Sequence, residues 1–108
     1  MGLDFAIDAL YATDFRSAEA ATCHVHRDGR LYPTQTAVGD CFASAGYSLT
    51  LRHVQLFDCY RAEWRDGNGQ PCGAVVGQSA DEAAVYALSL LRRQLRHAAN
   101  ESAATPTV

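Results

Sequence analysis

Apolar residues return every three or four positions at the start of the chain. Leu3, Ile7, Leu10, Tyr11 and Phe15 form one stripe with Asp4, Asp8 and Thr13 opposite, the pattern of an amphipathic helix that buries one face. Thr13 or Asp14 has the side chain to cap a second short helix through Arg16, Ala18 and Glu19, so the region reads as one bent helix or two. Between Cys23 and Tyr32, Asp28-Gly29 supplies two residues that tolerate positive φ, and Pro33 closes the segment, which predicts a small hairpin. Side chains alternate along a strand, so Cys23 and Val25 are expected to point inward and His24 and His26 toward solvent. Val38, Cys41, Phe42 and Ala45 repeat the helical spacing as far as Gly46, although Gly39 weakens that helix by up to about 1 kcal/mol.

From Tyr47 the period changes to strand alternation. Tyr47, Leu49 and Leu51 alternate with Ser48, Thr50 and Arg52, and Tyr60, Ala62 and Trp64 alternate with Arg61, Glu63 and Arg65. Two strands meeting near Phe57-Asp58 follow, and the reversal Asp66-Gly67-Asn68-Gly69 returns the chain as a third strand over 72–76. Ser79-Ala80-Asp81-Glu82 is a capping box in which the Ser79 hydroxyl accepts from the amide of residue 82 and Glu82 reaches back to that of residue 79. The helix it starts is predicted over 80–95, with Ala84, Ala87, Leu88, Leu91 and Leu95 buried, and with Asp81 and Glu82 at one end and Arg92, Arg93 and Arg96 at the other complementing its dipole. The expected fold is a single α+β domain over 1–98: an antiparallel meander with a C-terminal helix packed on it, an N-terminal amphipathic helix, and a flexible tail over 99–108.

Composition bounds the function more than it identifies it. Twelve acidic and nine basic side chains give a net charge of −3 over 108 residues, a balance unlike that of a generic binder of nucleic acid or anionic membrane. A domain of this size buries roughly 60–70% of the surface its unfolded chain exposes, enough to stand without metal or disulfide. No run approaches the roughly 20 apolar residues that span a bilayer, and no basic segment leads an apolar one at the start. The expectation is a cytoplasmic protein without membrane contact. All nine basic residues are arginine, and 19 alanines stand against a single isoleucine, Ile7, a bias of GC-rich bacterial or phage coding.

The residues that bear chemistry are scattered. Cys23, Cys41, Cys59 and Cys72 are an even number, but in a reducing cytosol they are expected as free thiols. Cys23, His24 and His26 cluster, and His53, Cys59 and Cys72 are within reach of joining them through the fold, yet the paired knuckles of a structural zinc site are missing, so no metal is expected. No cysteine is placed beside a base at a helix N-terminus, where a nucleophilic thiolate is stabilised. The glycines at 67, 69, 73 and 77 follow turns and lack the Lys-Ser/Thr of a phosphate loop, so no cofactor is expected. Trp64, Tyr60 and Tyr47, at strand spacing, are expected under a helix rather than as a base-stacking platform.

Two resemblances bear on function. Helix, three antiparallel strands and a capped helix over 36–97 resemble the layout of a double-stranded RNA-binding domain, but where such domains grip phosphates with lysines this chain has Ala80-Asp81-Glu82-Ala83-Ala84, whose carboxylates repel RNA. Tyr11-Ala12-Thr13-Asp14, the Trp-containing stretch Tyr60 to Asp66, and Ser79 to Leu91 resemble small phage-encoded α/β sandwich accessory proteins; the extra hairpin between Cys23 and Tyr47 departs from that pattern. That resemblance implies a non-catalytic inhibitor of anti-CRISPR type that occupies a larger bacterial host protein complex. An immunity protein to a toxin is the same class of binder, and a nucleic-acid-binding regulator using Arg92, Arg93 and Arg96 is the alternative of another class. Interface anchors are typically aromatic residues and arginine, and Tyr32, Arg61 and Arg65 are the candidates: Tyr32 at the hairpin end, the two arginines in the polar phase of their strand.

Overall fold

The computed structural model describes residues 2–104, and the side chains of residues 2–98. Three helices, α1 (Leu3–Tyr11), α2 (Gln35–Ser44) and α3 (Ala80–Ala104), accompany two antiparallel sheets. A short hairpin pairs β1 (Cys23–Val25) with β2 (Leu31–Pro33), and a three-stranded meander runs in the order β3 (Ser48–Val54), β4 (Cys59–Arg65), β5 (Pro71–Gly77). This is the expected α+β architecture with the C-terminal helix on the sheet.

Local chemistry sets most of the boundaries. The Thr34 side chain accepts from the Ala37 amide at 3.1 Å and opens α2, while Gly46 at φ +91° ends it, a backbone conformation that costs glycine nothing. The Glu82 amide donates to Ser79 Oγ at 3.0 Å as the capping box requires, but the Glu82 carboxylate accepts from the Gln78 amide at 2.9 Å instead of closing on residue 79. α1 stops at Tyr11, because Thr13 Oγ1 donates back to the Leu10 carbonyl at 2.6 Å and Asp14 turns into the left-handed region at φ +63°. Neither residue caps the turn that follows; that 3-10 turn, Ser17–Glu19, is closed by the Glu19 carboxylate accepting from the Arg16 amide at 2.7 Å.

α3 organises the core. It touches α1, α2 and every strand of the meander, and its buried residues (Ala83, Ala84, Val85, Ala87, Leu88, Ser89 and Leu91) cover an arc wider than the single stripe the spacing suggests. Leu95, placed in that stripe, is exposed instead, since the packing has ended by then. Helical backbone continues to Ala104, into the stretch expected as a tail, and residues 105–108 lie outside the described residues. Arg92, Arg93 and Arg96 therefore sit mid-helix, not at its C-terminal end. Two of them serve the fold: Arg92 donates to Thr13 Oγ1 at 2.8 Å and to the Thr13 carbonyl at 3.2 Å, and Arg96 to the same carbonyl at 3.1 Å.

Across the sheet, Leu49, Leu51, Ala62, Trp64 and Val75 face the helices, and Trp64 packs on Phe42 of α2 with ring centroids 5.4 Å apart. The indole lies over Gly73, its direct partner on β5: a Cβ there would meet a Trp64 ring carbon at 2.3 Å. Gly77 does the same for α3, since a Cβ would fall 2.8 Å from the Ala83 amide nitrogen. Gly73→Ala should therefore cost about 1–3 kcal/mol by overpacking, read as a lowered urea midpoint. Ser79→Ala, which removes the cap acceptor, should cost about 1 kcal/mol in the same measurement.

Candidate functional site

The outer face of the meander carries the charge that the inner face excludes. Side chains alternate, so Arg52 and Thr50 of β3, Arg61, Glu63 and Arg65 of β4, and Ala74 and Val76 of β5 point away from the helices. The register sets Arg52 directly opposite Arg61, and Arg61 opposite Val76. Glu63 sits between two arginines of its own strand, accepting from Arg61 at 3.3 Å and from Arg65 at 3.0 Å. Arg65 also donates to the Gly69 carbonyl at 3.0 Å, which leans it toward the β4–β5 turn. Arg52 has no ion-pair partner among the described residues. Three guanidiniums thus face one carboxylate around a hollow of about 310 Å³ lined by Thr50, Arg52, Arg61, Glu63 and Arg65.

Apolar residues flank this face in the open. Val76 is 54% exposed beside Arg61, and Leu56 and Phe57 are 84% and 74% exposed on the 3-10 turn Gln55–Phe57 that joins β3 to β4. Asp58 closes that turn in the left-handed region at φ +46° and accepts from His53 at 3.1 Å. Nothing in the alternation of the strands marks Leu56 and Phe57 as exposed; their pairing in a turn too tight to fold back is visible only in three dimensions.

Of the sequence-selected residues, Arg61 and Arg65 come together here and Tyr32 does not. Tyr32 lies in the small sheet, 8% exposed, beneath the rings of His24 at 5.4 Å and His26 at 6.1 Å. His24 is exposed and Cys23 half-buried as expected, but the other two exchange: Val25 is 69% exposed, and His26, nearly buried, is bonded to Asp4 of α1. The hairpin is strapped to α1 by charge, through Asp4 with His26 and Arg27, and Asp8 with Arg30.

Metal and catalytic chemistry find little footing. Cys23 points to the Ser17 carbonyl at 3.7 Å, away from His24 and His26. Asp4, His26 and Asp28 do gather potential ligand atoms within 4.8 Å, but the carboxylate oxygens are already engaged, those of Asp4 by His26 and Arg27 and those of Asp28 by the amide and guanidinium of Arg30. The four thiols are free, and burial pushes those of Cys23 and Cys41 up, opposite to the activation a nucleophilic thiolate needs. The arginines of α3 are largely committed: besides their bonds to Thr13, Arg92 pairs with Glu19 at 3.1 Å and Arg96 with Asp14 at 2.7 Å. Among the described residues, no helix is long and apolar enough to cross a membrane. No protein-family model matches the chain, and no curated protein or solved structure is significantly similar to it.

Hydrogen bonds from Arg61 and Arg65 hold the Glu63 carboxyl below the ordinary glutamate range. A depressed carboxyl binds its proton more weakly folded than unfolded, so the clamp contributes fully above the ordinary glutamate pKa and is lost as pH falls through the folded value. In a carboxyl-detected NMR titration, Glu63 should show its midpoint below that of a free glutamate. In the Arg61→Gln, Arg65→Gln double variant the midpoint should return to the ordinary value.

Proposed function

We propose that the chain is a small non-catalytic protein-binding module that docks by the outer face of its meander on an acidic surface of a larger protein. The observation that carries this reading is Arg52 standing opposite Arg61 with no carboxylate of its own. Like charges directly opposite each other weaken a sheet by some tenths of a kcal/mol to about 1 kcal/mol, and the fold gains nothing from the arrangement. A partner's carboxylate between the two guanidiniums turns that cost into attraction, with the planar fork of arginine suited to bidentate contact. Val76, Leu56 and Phe57 add the apolar area that interface cores use.

The face lacks what a nucleic-acid platform has. Trp64 and Tyr60 lie in the opposite phase of β4, so the strands themselves present guanidiniums outward with no ring between them, and Phe57 stands outside the strands on the β3–β4 turn. A net charge of −3 over the whole chain keeps the long-range field unfavourable to a polyanion while one face stays locally positive. In line with the resemblance to phage accessory proteins, the partner is a multi-subunit bacterial defence complex met in the cytoplasm, and the module acts by covering its surface.

The test compares the wild type with the Arg52→Glu, Arg61→Glu, Arg65→Glu triple variant, matched for thermal unfolding, as bait in a bacterial lysate. A protein complex held by the wild type and lost from the variant is the expected result, and identical capture by both overturns it. A gel shift of RNA or DNA at physiological salt that disappears in the triple variant replaces the protein partner with a nucleic acid.

A further inference from the structure

Of the meander's two open edges, β3 and β5, the latter is the less guarded, since β3 carries Arg52. β5 pairs with β4 on one side, and among the described residues no strand or backbone hydrogen bond occupies the other. Exposed edges are ordinarily guarded by charged side chains, proline or a bulge, because their free N–H and C=O groups template another strand. Here the guards stand at one end: Pro71 and the bulge opposite Trp64/Arg65 protect the start of the strand. From Cys72 to Gly77 the edge carries no charge at all.

Packing does not require this. Gly73 and Gly77 are fixed by Trp64 and by α3, and Val75 is buried, but Cys72, Ala74 and Val76 are exposed, and lysine at 74 or 76 would guard the edge without touching the core. The choice of small uncharged residues at those positions has a second effect. Paired strands lie about 4.8 Å apart, so a strand added to β5 runs about 10 Å from β4, with only Ala74 and Val76 between it and the arginines. Arg61, opposite Val76, has a stem long enough to cross most of that gap and meet a carboxylate on the added strand.

Resting on the reading of the outer face as a protein-binding surface, we infer that the partner engages by strand addition: an extended acidic segment pairs with the β5 edge and places its carboxylates within reach of the β4 arginines, Arg61 first. Backbone hydrogen bonds to β5 supply affinity, and the arginines select acidic side chains in one alternating phase. A second copy of this chain fits less well. Pairing β5 with β5 extends the outer face with three more arginines against one more glutamate, so like charges accumulate where the first set is already unbalanced.

The probe is a capped octapeptide alternating Glu and Val, titrated into the intact protein by NMR. Binding should slow amide exchange along β5, and a Lys-Val peptide should bind at least about tenfold more weakly. Successive amides of a strand point to opposite edges. N-methylation of the glutamate nitrogens and of the valine nitrogens should therefore give one peptide that binds and one that does not. Arg61→Gln should weaken the Glu-Val peptide in a protein whose amide spectrum shows it folded at the titration temperature. Equal binding of both methylated peptides, no binding at millimolar concentration, or concentration-dependent dimers that protect β5 without peptide would each overturn strand addition. If a lysate partner is still lost on reversing the three arginines, face docking survives without the added strand; if neither experiment shows binding, both fail.

Discussion

Trp64 needs a flat place to lie, and the rest of the domain is arranged around giving it one. The indole is fully buried against Phe42 and crosses Gly73 at a distance that admits no side chain. An aromatic of this size removes about 150–250 Å² from water, which at about 25 cal/mol per Å² outweighs the roughly 1–3 kcal/mol lost by leaving its Nε1 without a partner. With one face of the meander committed to that packing, strand alternation delivers the polar phase to the opposite face. The arginine face is thus a corollary of the core: the β4–β5 register that brings Trp64 to Gly73 also brings Arg61 to Val76, and the β3–β4 register that sets Leu49 opposite Trp64 sets Arg52 opposite Arg61.

What the chain reveals before folding depends on how local the cause is. The meander, the start of α3 at Ser79 and the burial of Trp64 follow from alternation, turn residues and a cap, all contained within a few positions. Arg61 and Arg65 were legible as outward-facing for the same reason. Arg52 carried the same signal, lying in the polar phase with Ser48 and Thr50, but its meeting with Arg61 depends on the length of the Gln55–Asp58 turn, which no periodicity encodes. Tyr32 and Val25 exchanged places because the hairpin is too short to have a core of its own. Its orientation is decided by salt bridges to Asp4 and Asp8, some twenty positions away in sequence.

Two groups of arginines differ in physical character. Arg92 and Arg96 of α3 point at a carbonyl and at acidic groups of the segment after α1, where the free carbonyl ends of a helix call for donors. Those of the meander are less satisfied, Arg61 and Arg65 sharing one glutamate and Arg52 without an ion pair among the described residues. An acidic chain can hold such a cluster on one face because the remaining surface offsets it, and the two populations cannot be told apart by composition.

The order in which the pieces leave the ribosome gives the central position of α3 a further meaning. α1 and α2 are made first, yet the surfaces on which Ile7, Leu10, Val38 and Phe42 come to rest are supplied in large part by α3, made after both. Thr13 waits for Arg92, its partner across 79 positions. The nascent chain therefore carries its apolar stripes unmatched until α3 has emerged, and the cooperative event that hides them waits for that helix to close over both.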